Sequence, residues 1–389
     1  MKRRYSIGIG KAVPFFIGTV MNEATSMDSF FIGPEAMDFS QGSVFKGSHP
    51  LPTKESVASS YELLAFAESI PAGSSVDFYL SGGASAMFCI PAEGIEIDEL
   101  AETYDLLLSS GASIHQMNVV RKHLDEVKGG RFAQHLQHVE LNTYIISDVP
   151  GDDPEVIGSG PTIHDSSTFE EAKEILYSYD LWNKLPERVR NHISLGVQGR
   201  VPETPKPGID EHPEHTIHLL NTASMLAHDI AQDLAQSGYN TWVADQAYNE
   251  SVNQVAKHIC AHALSVLKNE GPVEVPAALL FYGESTVKVL GNGKGGRNQH
   301  LALACALAIE GQHSITIQSI ATDGVDGNTP AAGAVVDSFT TLKARKAGIL
   351  PEQYLQDFNS YEFHKQMNTL VETGPTGNNL MDLQVVLVH

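Results

Sequence analysis

The chain contains 389 residues, of which 42% are hydrophobic and 19% charged, and its 25 Lys and Arg are outnumbered by 47 Asp and Glu, a net charge of −22. This composition is typical of a soluble globular protein of about two domains, and the acidic excess argues against a nucleic-acid surface. No apolar run reaches the roughly 20 residues that a membrane-spanning helix needs. The 3 cysteines lie far apart and outside any C-x-x-C pattern, which favours a reducing, cytoplasmic location.

Short apolar runs alternate with helical patterns from the start of the chain. The runs predict strands at Tyr5–Ile9, Phe30–Ile32, Val76–Leu80 and Tyr144–Ile146. Helical periodicity is found near 12–24, 54–69, 98–109, 113–124 and 168–178. This alternation is typical of βαβ units, so we expect an N-terminal α/β domain with a Rossmann-like, doubly wound and mainly parallel sheet.

A proline-rich stretch then separates the two halves of the sequence. We expect an N-terminal domain over 1–205, a linker over 206–215 and a C-terminal α/β domain over 216–389. In the second half the sequence predicts helices near 223–236, 251–268, 299–310 and 339–347. It predicts strands at Thr216–Leu220, Thr241–Ala244, Ala277–Tyr282, Thr286–Val289, Ile315–Ile320 and Gln384–Val388. Ligands of such folds gather at the carboxyl ends of strands, and we expect the site in a cleft between the two domains.

The stretch "YLSGGASAM" places small residues directly after the predicted strand Val76–Leu80. Glycines allow a close approach of backbone N–H groups, and a helix N-terminus favours anions, so this turn predicts phosphate binding. A tight strand-to-helix turn without a ligand is the alternative. The candidate phosphate-binding residues are Ser81, Gly82, Gly83, Ala84 and Ser85.

The tetrapeptide "KGGR" occurs twice, in "VKGGRFAQHL" and in "NGKGGRNQHLAL". Each copy places two cations around a Gly-Gly turn that leads into a predicted helix, an arrangement that suits an oxyanion. Arginine offers a planar fork, and lysine a movable point charge, to phosphate or carboxylate. The first copy nominates Lys128, Gly129 and Gly130 for phosphate binding, and the second nominates Lys294 beside Arg297.

Acidic residues cluster behind two of the predicted strands, in "IISDVPGDDPEV" and in "IATDGVDGN". Carboxylates at strand ends suit Mg²⁺, which takes one or two of them together with substrate phosphates, and one carboxylate could instead accept a proton from an attacking hydroxyl. We expect Asp148 and Asp152 to bind metal and Asp323 to act in the reaction. Asp153 and Asp326 are more typical of Asx-turns.

Lys11 follows the first predicted strand in "GIGKA". The G-x-G spacing hints at a dinucleotide site, but no third glycine follows at the required distance. A lysine at a strand end suits a phosphoryl group in transfer, and a snorkelling surface lysine is the alternative.

These motifs, in this order, resemble the class II glycerate 2-kinases, whose C-terminal half is called the MOFRL domain. The matching stretches, which run from residue 7 to 383, are "GIGKA", "GSHPLP", "LSGGASAM", "NVVRKHLDEVKGGR", "SDVPGDDPEVIGSGPT", "GNGKGGRNQ", "ATDGVDGNTPAAGAVVD" and "TGPTGNNLMDL". The resemblance implies a kinase that transfers the γ-phosphate of ATP to the 2-hydroxyl of D-glycerate and uses Mg²⁺. Its partners would be small-molecule substrates, and a homodimer is the assembly to test.

The resemblance also implies roles for individual residues. Lys11 and Arg297 match the catalytic cations of the family, and Asp323 would lie beside them as metal ligand or base. Apart from the resemblance, we expect Arg121 or Lys128 to bind the substrate carboxylate, and the candidate substrate-binding residues are Arg121 and Asn118.

The chain departs from the family pattern at several positions. Ala84 stands where a third glycine is usual, His300 replaces a common acidic residue, and the stretch 282–285, "YGES", replaces a Gly-Gly-Glu-Thr pattern. The substrate could therefore be another small hydroxy acid. Some relatives carry a hydroxypyruvate reductase label, so an NAD(P)H-dependent hydroxypyruvate reductase is the alternative, and a non-catalytic sugar-acid-binding relative is a second one.

Overall fold

The structure is a computed structural model that describes residues 2–22, 26–209, 212–312 and 314–389. The chain divides into two compact units, Met1–Ser147 with Asp152–Leu220, and Asp148–Gly151 with Asn221–His389. Two positions of the predicted linker, 210 and 211, lie outside the described residues. Within the described ranges, no helix has both the length and the apolar character that crossing a membrane requires.

The N-terminal unit is built on a sheet of mostly parallel strands. The strands are β1 (Arg4–Ile9), β2 (Ser26–Gly33), β3 (Met37–Phe39), β4 (Gly42–Lys46), β5 (Ser75–Leu80), β6 (Glu140–Ile146) and β7 (His215–Asn221). They lie in the order β3-β4-β2-β1-β5-β6-β7. The run β4-β2-β1-β5-β6 is parallel throughout, and the short strand β3 is antiparallel to β4 at the edge. The predicted Rossmann-like, mainly parallel sheet is confirmed.

Three helices of this unit, α2, α5 and α7, begin at a Ser or Thr that caps them. They are α1 (Val13–Asn22), α2 (Lys54–Ser69), α3 (Ala84–Met87), α4 (Ile97–Ser109), α5 (Ile114–Lys122), α6 (Arg131–Gln134), α7 (Phe169–Ser178) and α8 (Glu187–Val197), with single 3₁₀ turns at Ile157–Ser159 and Trp182–Lys184. The side chains of Thr53, Ser113 and Thr168 accept the N–H three residues on, which satisfies a donor that the helix itself leaves unpaired. Helices α4, α5, α7 and α8 share one apolar core.

The C-terminal unit contains a mixed sheet. Its strands are β8 (Asn240–Val243), β9 (Ala277–Gly283), β10 (Ile315–Ala321), β11 (Gly333–Asp337), β12 (Leu370–Val371) and β13 (Asp382–Val388), in the order β12-β11-β10-β13-β9-β8. Only β8 and β9 pair in parallel among these described strands; the other pairs are antiparallel. The helices are α9 (Ala223–Gln236), α10 (Val252–Leu267), α11 (Arg297–Ala308), α12 (Thr340–Lys346), α13 (Pro351–Gln356) and α14 (Ser360–Met367).

Both faces of the C-terminal sheet are covered by helices. Along β9, Leu279 and Phe281 pack into a core with α10 and α11, whereas Leu280 and Tyr282 pack into a second core with α9. Successive side chains of a strand point to opposite faces, so a strand covered on both sides is apolar throughout, and every residue of β9 is buried. The predicted C-terminal α/β domain is confirmed.

Some predicted elements differ from the structure. The predicted strand Thr286–Val289 is wrong: Thr286 forms an isolated bridge with Ser251, and Val289 is 63% exposed, so the apolar run has no second strand to pair with. The strand predicted at Thr216–Leu220 exists as β7, but it extends the N-terminal sheet beside β6 although the sequence placed it in the C-terminal domain. Strands β3, β4, β11 and β12 were not predicted, because they are short or contain few apolar residues.

Candidate active site

The loops that follow β1 and β5 hold Lys11 and the 81–85 turn next to each other. These strands are adjacent and parallel, so their carboxyl ends lie at the same edge of the sheet. The Lys11 N–H donates to the Gly82 carbonyl at 3.0 Å, and the Ala12 N–H donates to the Ser81 hydroxyl at 3.1 Å. The two loops are therefore fixed to each other by hydrogen bonds.

The turn also presents free backbone donors. In the described part of the chain, no protein group accepts from the N–H groups of Gly82, Gly83, Ala84 and Ser85. Gly83 has a φ of 86°, and a Cβ at this position would lie 3.1 Å from Cγ of Lys11. Glycine is thus required both for the left-handed backbone and for the passage of the Lys11 side chain. Free N–H groups beside an exposed lysine suit an anion.

Arg121 is a buried cation that has no acidic partner among the described residues. Its side chain is 6% exposed, its guanidinium lies 4.5 Å from the centre of the Tyr104 ring, and its Nε is buried with no hydrogen-bond partner. Burial lowers the pKa of Arg121. No carboxylate of the described ranges forms a salt bridge with it. A buried charge is costly unless an opposite charge compensates it, so this position calls for an anionic ligand.

His49 links Arg121 to the turn. A Cβ at Gly83 would lie 3.0 Å from Cδ2 of His49. Burial first, and then the charges of Lys11 and Arg121, lower the pKa of His49 to about 4. Lys11, Arg121 and the glycine turn therefore form one positively charged cluster inside the N-terminal unit. Sequence reasoning missed His49, since nothing in "GSHPLP" distinguishes it from the other histidines.

Asn118 is connected to the glycine turn by a chain of hydrogen bonds inside the protein. The Ser85 hydroxyl donates to the Ser159 hydroxyl at 2.7 Å, and Ser159 donates to Oδ1 of Asn118 at 2.8 Å. The Asn118 amide donates in turn to the Val156 carbonyl at 2.8 Å. Asn118, which was predicted to bind substrate, is buried, and its oxygen and its amide group both have protein partners.

The first "KGGR" copy is not an anion site, which corrects the prediction for Lys128, Gly129 and Gly130. Lys128 is fully buried, and its ammonium lies 2.6 Å from Oδ2 of Asp125 and donates to the Phe88 carbonyl at 2.9 Å. The N–H groups of Gly129 and Gly130 donate to the carbonyls of Ser159 and Gly160 at 3.0 and 2.8 Å. Every group that was expected to face phosphate is thus used inside the fold.

The structure places the predicted metal ligands Asp148 and Asp152 in the loop that follows β6. No group of three or more His, Cys, Asp or Glu in the described residues is placed to hold an ion. Asp152 has a φ of 52° and a buried Oδ1 without a hydrogen-bond partner. Asp148 is partly buried, and Asp153 forms an Asx-turn in which its carboxylate accepts the Glu155 N–H at 3.0 Å. Mg²⁺ binding by Asp148 and Asp152 stays a prediction.

The C-terminal unit contains a pocket of about 660 Å³ between the glycine-rich loop 291–296 and the loop after β10. Pockets of this size hold ligands as large as a nucleotide. The charged residues that line this pocket are Glu284, Arg297, Asp323 and Asp326. Its apolar wall includes Val287, Val289, Val325 and Phe358.

Arg297 stands at the first position of α11 and is held by two carboxylates. Its Nε lies 2.7 Å from Oδ2 of Asp382, its Nη2 donates to Oδ1 of Asp382 at 3.1 Å, and its Nη1 donates to Glu284 at 2.5 Å. Burial alone would lower the pKa of Arg297, but the charges of Asp382 and Glu284 raise it. Burial raises the pKa of Asp382 to about 7, although Arg297 acts in the opposite direction.

The N-terminus of α11 is already occupied. The Asp326 carboxylate accepts the N–H groups of Asn298 and Gln299 at 3.0 and 2.8 Å, so it caps the helix where the sequence suggested an oxyanion. The prediction that Asp326 is structural is confirmed. A Cβ at Gly296 would lie 2.3 Å from Cγ of Asp326, which explains why this position of the loop is glycine.

The remaining predicted residues of this half lie around the pocket. Asp323 lines it and accepts the Val325 N–H at 3.0 Å. His300 also lines it and stacks flat on Phe358, with ring centres 4.9 Å apart, and burial lowers the pKa of His300 to about 4. Lys294 is exposed, and its ammonium lies 4.6 Å from the centre of the Tyr361 ring.

Comparisons with known proteins match both halves of the chain. Residues 1–194 match a family model described as a domain of unknown function (DUF4147), and residues 277–382 match the MOFRL family. A glycerate 2-kinase of Pyrococcus horikoshii is 38% identical over 346 residues, which are 89% of this chain and 78% of that protein. A putative hydroxypyruvate reductase of Agrobacterium vitis is 35% identical over 89% of this chain and 77% of its own length. The crystal structure of a glycerate kinase from Thermotoga maritima superposes with a TM-score of 0.90 at 32% identity, and covers 100% of this chain and 92% of that one.

Proposed function

Because the chain belongs to the glycerate 2-kinase family that carries a MOFRL domain, we propose that it transfers the γ-phosphate of ATP to the 2-hydroxyl of D-glycerate and forms 2-phosphoglycerate. The observation that carries this proposal furthest is Arg121, a buried guanidinium without an acidic partner in the described ranges, beside free N–H donors and Lys11. In a chain with a net charge of −22, such a concentration of positive groups is suited to an anionic substrate.

The N-terminal cluster is proposed to bind the anionic groups of the substrates. Arg121 binds the glycerate carboxylate, because its planar fork matches a carboxylate and its burial strengthens the attraction. Lys11 and the N–H groups of the 81–85 turn bind phosphate oxygens. The role of Asn118 is to hold Ser85 in place through Ser159.

The C-terminal pocket is proposed to bind ATP. The nucleobase contacts the apolar wall that includes Val287 and Phe358, and Arg297 stabilises the negative charge that develops on the phosphoryl group in transfer. Asp323 fits as a carboxylate for Mg²⁺, which binds one or two protein carboxylates together with substrate phosphates and screens their charge. Asp148 and Asp152 are the other candidates for this metal, and a cytoplasmic location and a homodimer complete the proposal.

The test is the release of ADP that depends on D-glycerate, measured in the wild type and in Lys11→Ala and Arg297→Ala. Loss of charge stabilisation predicts a decrease in kcat/KM of at least about 100-fold for each variant. Lys257→Ala and Arg188→Ala remove exposed cations that line neither site, and they should retain the wild-type rate. Unchanged rates in the first two variants would remove both assigned roles.

The hydroxypyruvate reductase name of one relative makes reduction the second candidate. Oxidation of NAD(P)H by hydroxypyruvate, followed by absorbance in the same preparation, distinguishes the two activities. A protein that D-glycerate stabilises against heat without any release of ADP would instead be a binding relative.

A further inference from the structure

The Nε, Nη1 and Nη2 groups of Arg297 each face a carboxylate before any phosphate binds. The Asp382 carboxylate contacts Nε and Nη2, and the Glu284 carboxylate contacts Nη1. When both acids are ionised, the three side chains together carry one negative charge. Three side chains with this net charge repel a triphosphate, whereas the proposed reaction uses the positive charge of Arg297.

The two carboxylates that hold Arg297 differ in how they are bound. Asp382 is fully buried at the start of β13, and its Oδ1 also accepts the Asn298 amide at 2.8 Å. Moving Asp382 would leave a buried charge without a partner, which is strongly unfavourable. Asp382 is therefore the fixed partner that sets the orientation of the guanidinium.

Glu284 is the movable partner. It follows β9 directly, its side chain is 43% exposed, and it lines the 660 Å³ pocket. Arg297 is the one group that its carboxylate contacts among the described residues. An exposed ion pair with a single partner contributes little to stability, so the carboxylate can leave at small cost.

We propose that Glu284 is a displaceable anion that occupies Nη1 of Arg297 until a polyphosphate replaces it, while Asp382 keeps the guanidinium in position. This rests on the proposed function in one respect, that the pocket binds ATP. Glu284 then determines specificity: a ligand must carry enough charge at the pocket to replace a carboxylate, which a triphosphate does more readily than a single phosphate.

The test measures binding of inorganic tripolyphosphate and inorganic phosphate by calorimetry, without metal and without glycerate. In Glu284→Gln the competing charge is gone but the size is kept, so we expect tripolyphosphate to bind about 3- to 10-fold more tightly. Inorganic phosphate should gain more than tripolyphosphate does, because its smaller charge displaces the carboxylate less readily in the wild type. The preference for tripolyphosphate over phosphate should therefore narrow, and an unchanged preference would contradict the role of Glu284 in specificity. The thermal midpoint should change little, because Glu284 is partly exposed.

Asp323→Asn is the matched control, since it removes one negative charge from the same pocket without touching Arg297. If Glu284 acts through Arg297, the gain in Glu284→Gln exceeds the gain in Asp323→Asn, and it disappears when Arg297→Met is added. Equal gains in the two single variants, or weaker binding in Glu284→Gln, would overturn the proposal. These experiments measure binding and not turnover. A protein without kinase activity would therefore refute the proposed function, and the binding data would still test the role of Glu284.

Discussion

The same four residues, Lys-Gly-Gly-Arg, are used in opposite ways in the two units. In the N-terminal unit Lys128 is completely buried against Asp125, and the guanidinium of Arg131 donates to the backbone carbonyls of Lys122 and Asp125 at 2.7 and 3.2 Å. In the C-terminal unit Lys294 is exposed, and Arg297 faces a pocket.

The glycines differ as much as the cations. Gly129 and Gly130 have φ values of 57° and 84°, so the first copy needs glycine for its backbone conformation. Gly296 has a φ of −134°, which any residue adopts, and needs glycine because Asp326 lies where a side chain would be. A motif of this length specifies a turn followed by a helix, and the residues packed around it decide whether its charges serve the fold or a ligand.

The first prediction compares the two lysines directly. Lys128→Met should destabilise the protein by about 3–5 kcal/mol, because it leaves Asp125 as an unpaired buried charge. Lys294→Met should change stability by less than about 1 kcal/mol, because only an exposed contact with Tyr361 is lost. Urea unfolding of both variants gives the two values.

Asp125→Asn in the Lys128→Met background is the control for this prediction. It removes the unpaired charge while keeping an acceptor for the Val127 N–H, which lies 3.0 Å from Oδ1 of Asp125. The double variant should recover part of the loss. If Lys128→Met is as stable as the wild type, the first copy is not the buried structural element described above.

The second prediction concerns the pH dependence of stability at the helix that follows the second copy. The helix after the second copy, α11, is held by His364, whose Nε2 donates to the Gln299 carbonyl at 2.9 Å while its Nδ1 lies 2.8 Å from the Thr369 hydroxyl. Burial lowers the pKa of His364 to about 4, so the ring is neutral in the folded protein at pH 7. The unfolded chain, with an ordinary pKa near 6.5, takes up the proton first, so this contribution is complete above pH 6.5 and is lost as the pH falls toward 4.

Between pH 7 and pH 5 the loss assigned to His364 amounts to about 2 kcal/mol. His364→Gln, which can retain a donor and an acceptor, should lower stability at pH 7 and remove that part of the pH dependence. His228→Gln, at an exposed position of α9, should leave the wild-type slope. Identical slopes in all three proteins would show that α11 is not anchored through a neutral histidine.

Local patterns carried much of the fold prediction. The runs Tyr5–Ile9 and Val76–Leu80 correspond to β1 and β5, since a strand buried on both faces is mainly apolar, and even their polar residues Ser6 and Asp77 are buried. Thr286–Val289 was wrong because the same kind of run can also lie exposed in a loop. The edge strands β3 and β12 were missed because they contain too few residues for a period to be read.

The candidate site was harder to predict from the sequence, because residues that are distant in sequence determine which charged groups are available to a ligand. Lys11 and Arg297 could be nominated from turns at element boundaries. Only the packed protein shows that Arg121 has no acidic partner in the described chain. It also shows that Arg297 contacts Asp382, which lies 85 residues further along the sequence. The opposite fates of Lys128 and Lys294 follow from Asp125 and Tyr361, which a tetrapeptide motif does not include.

The smallest expected effect concerns Lys294, which the sequence predicts to bind phosphate. Its substitution is the most sensitive test of the comparison between the two copies. Its ammonium lies over the Tyr361 ring, and it is not among the residues that line the pocket. If it contributes only at long range, Lys294→Met should raise the KM for ATP by less than about 5-fold and leave kcat unchanged, since an exposed charge of this kind is worth about 1 kcal/mol or less. Lys294→Arg keeps the charge and should restore the wild-type KM. A loss of kcat as large as that of Arg297→Ala would mean that the second copy uses both of its cations on the substrate, and the contrast with the first copy would then be complete.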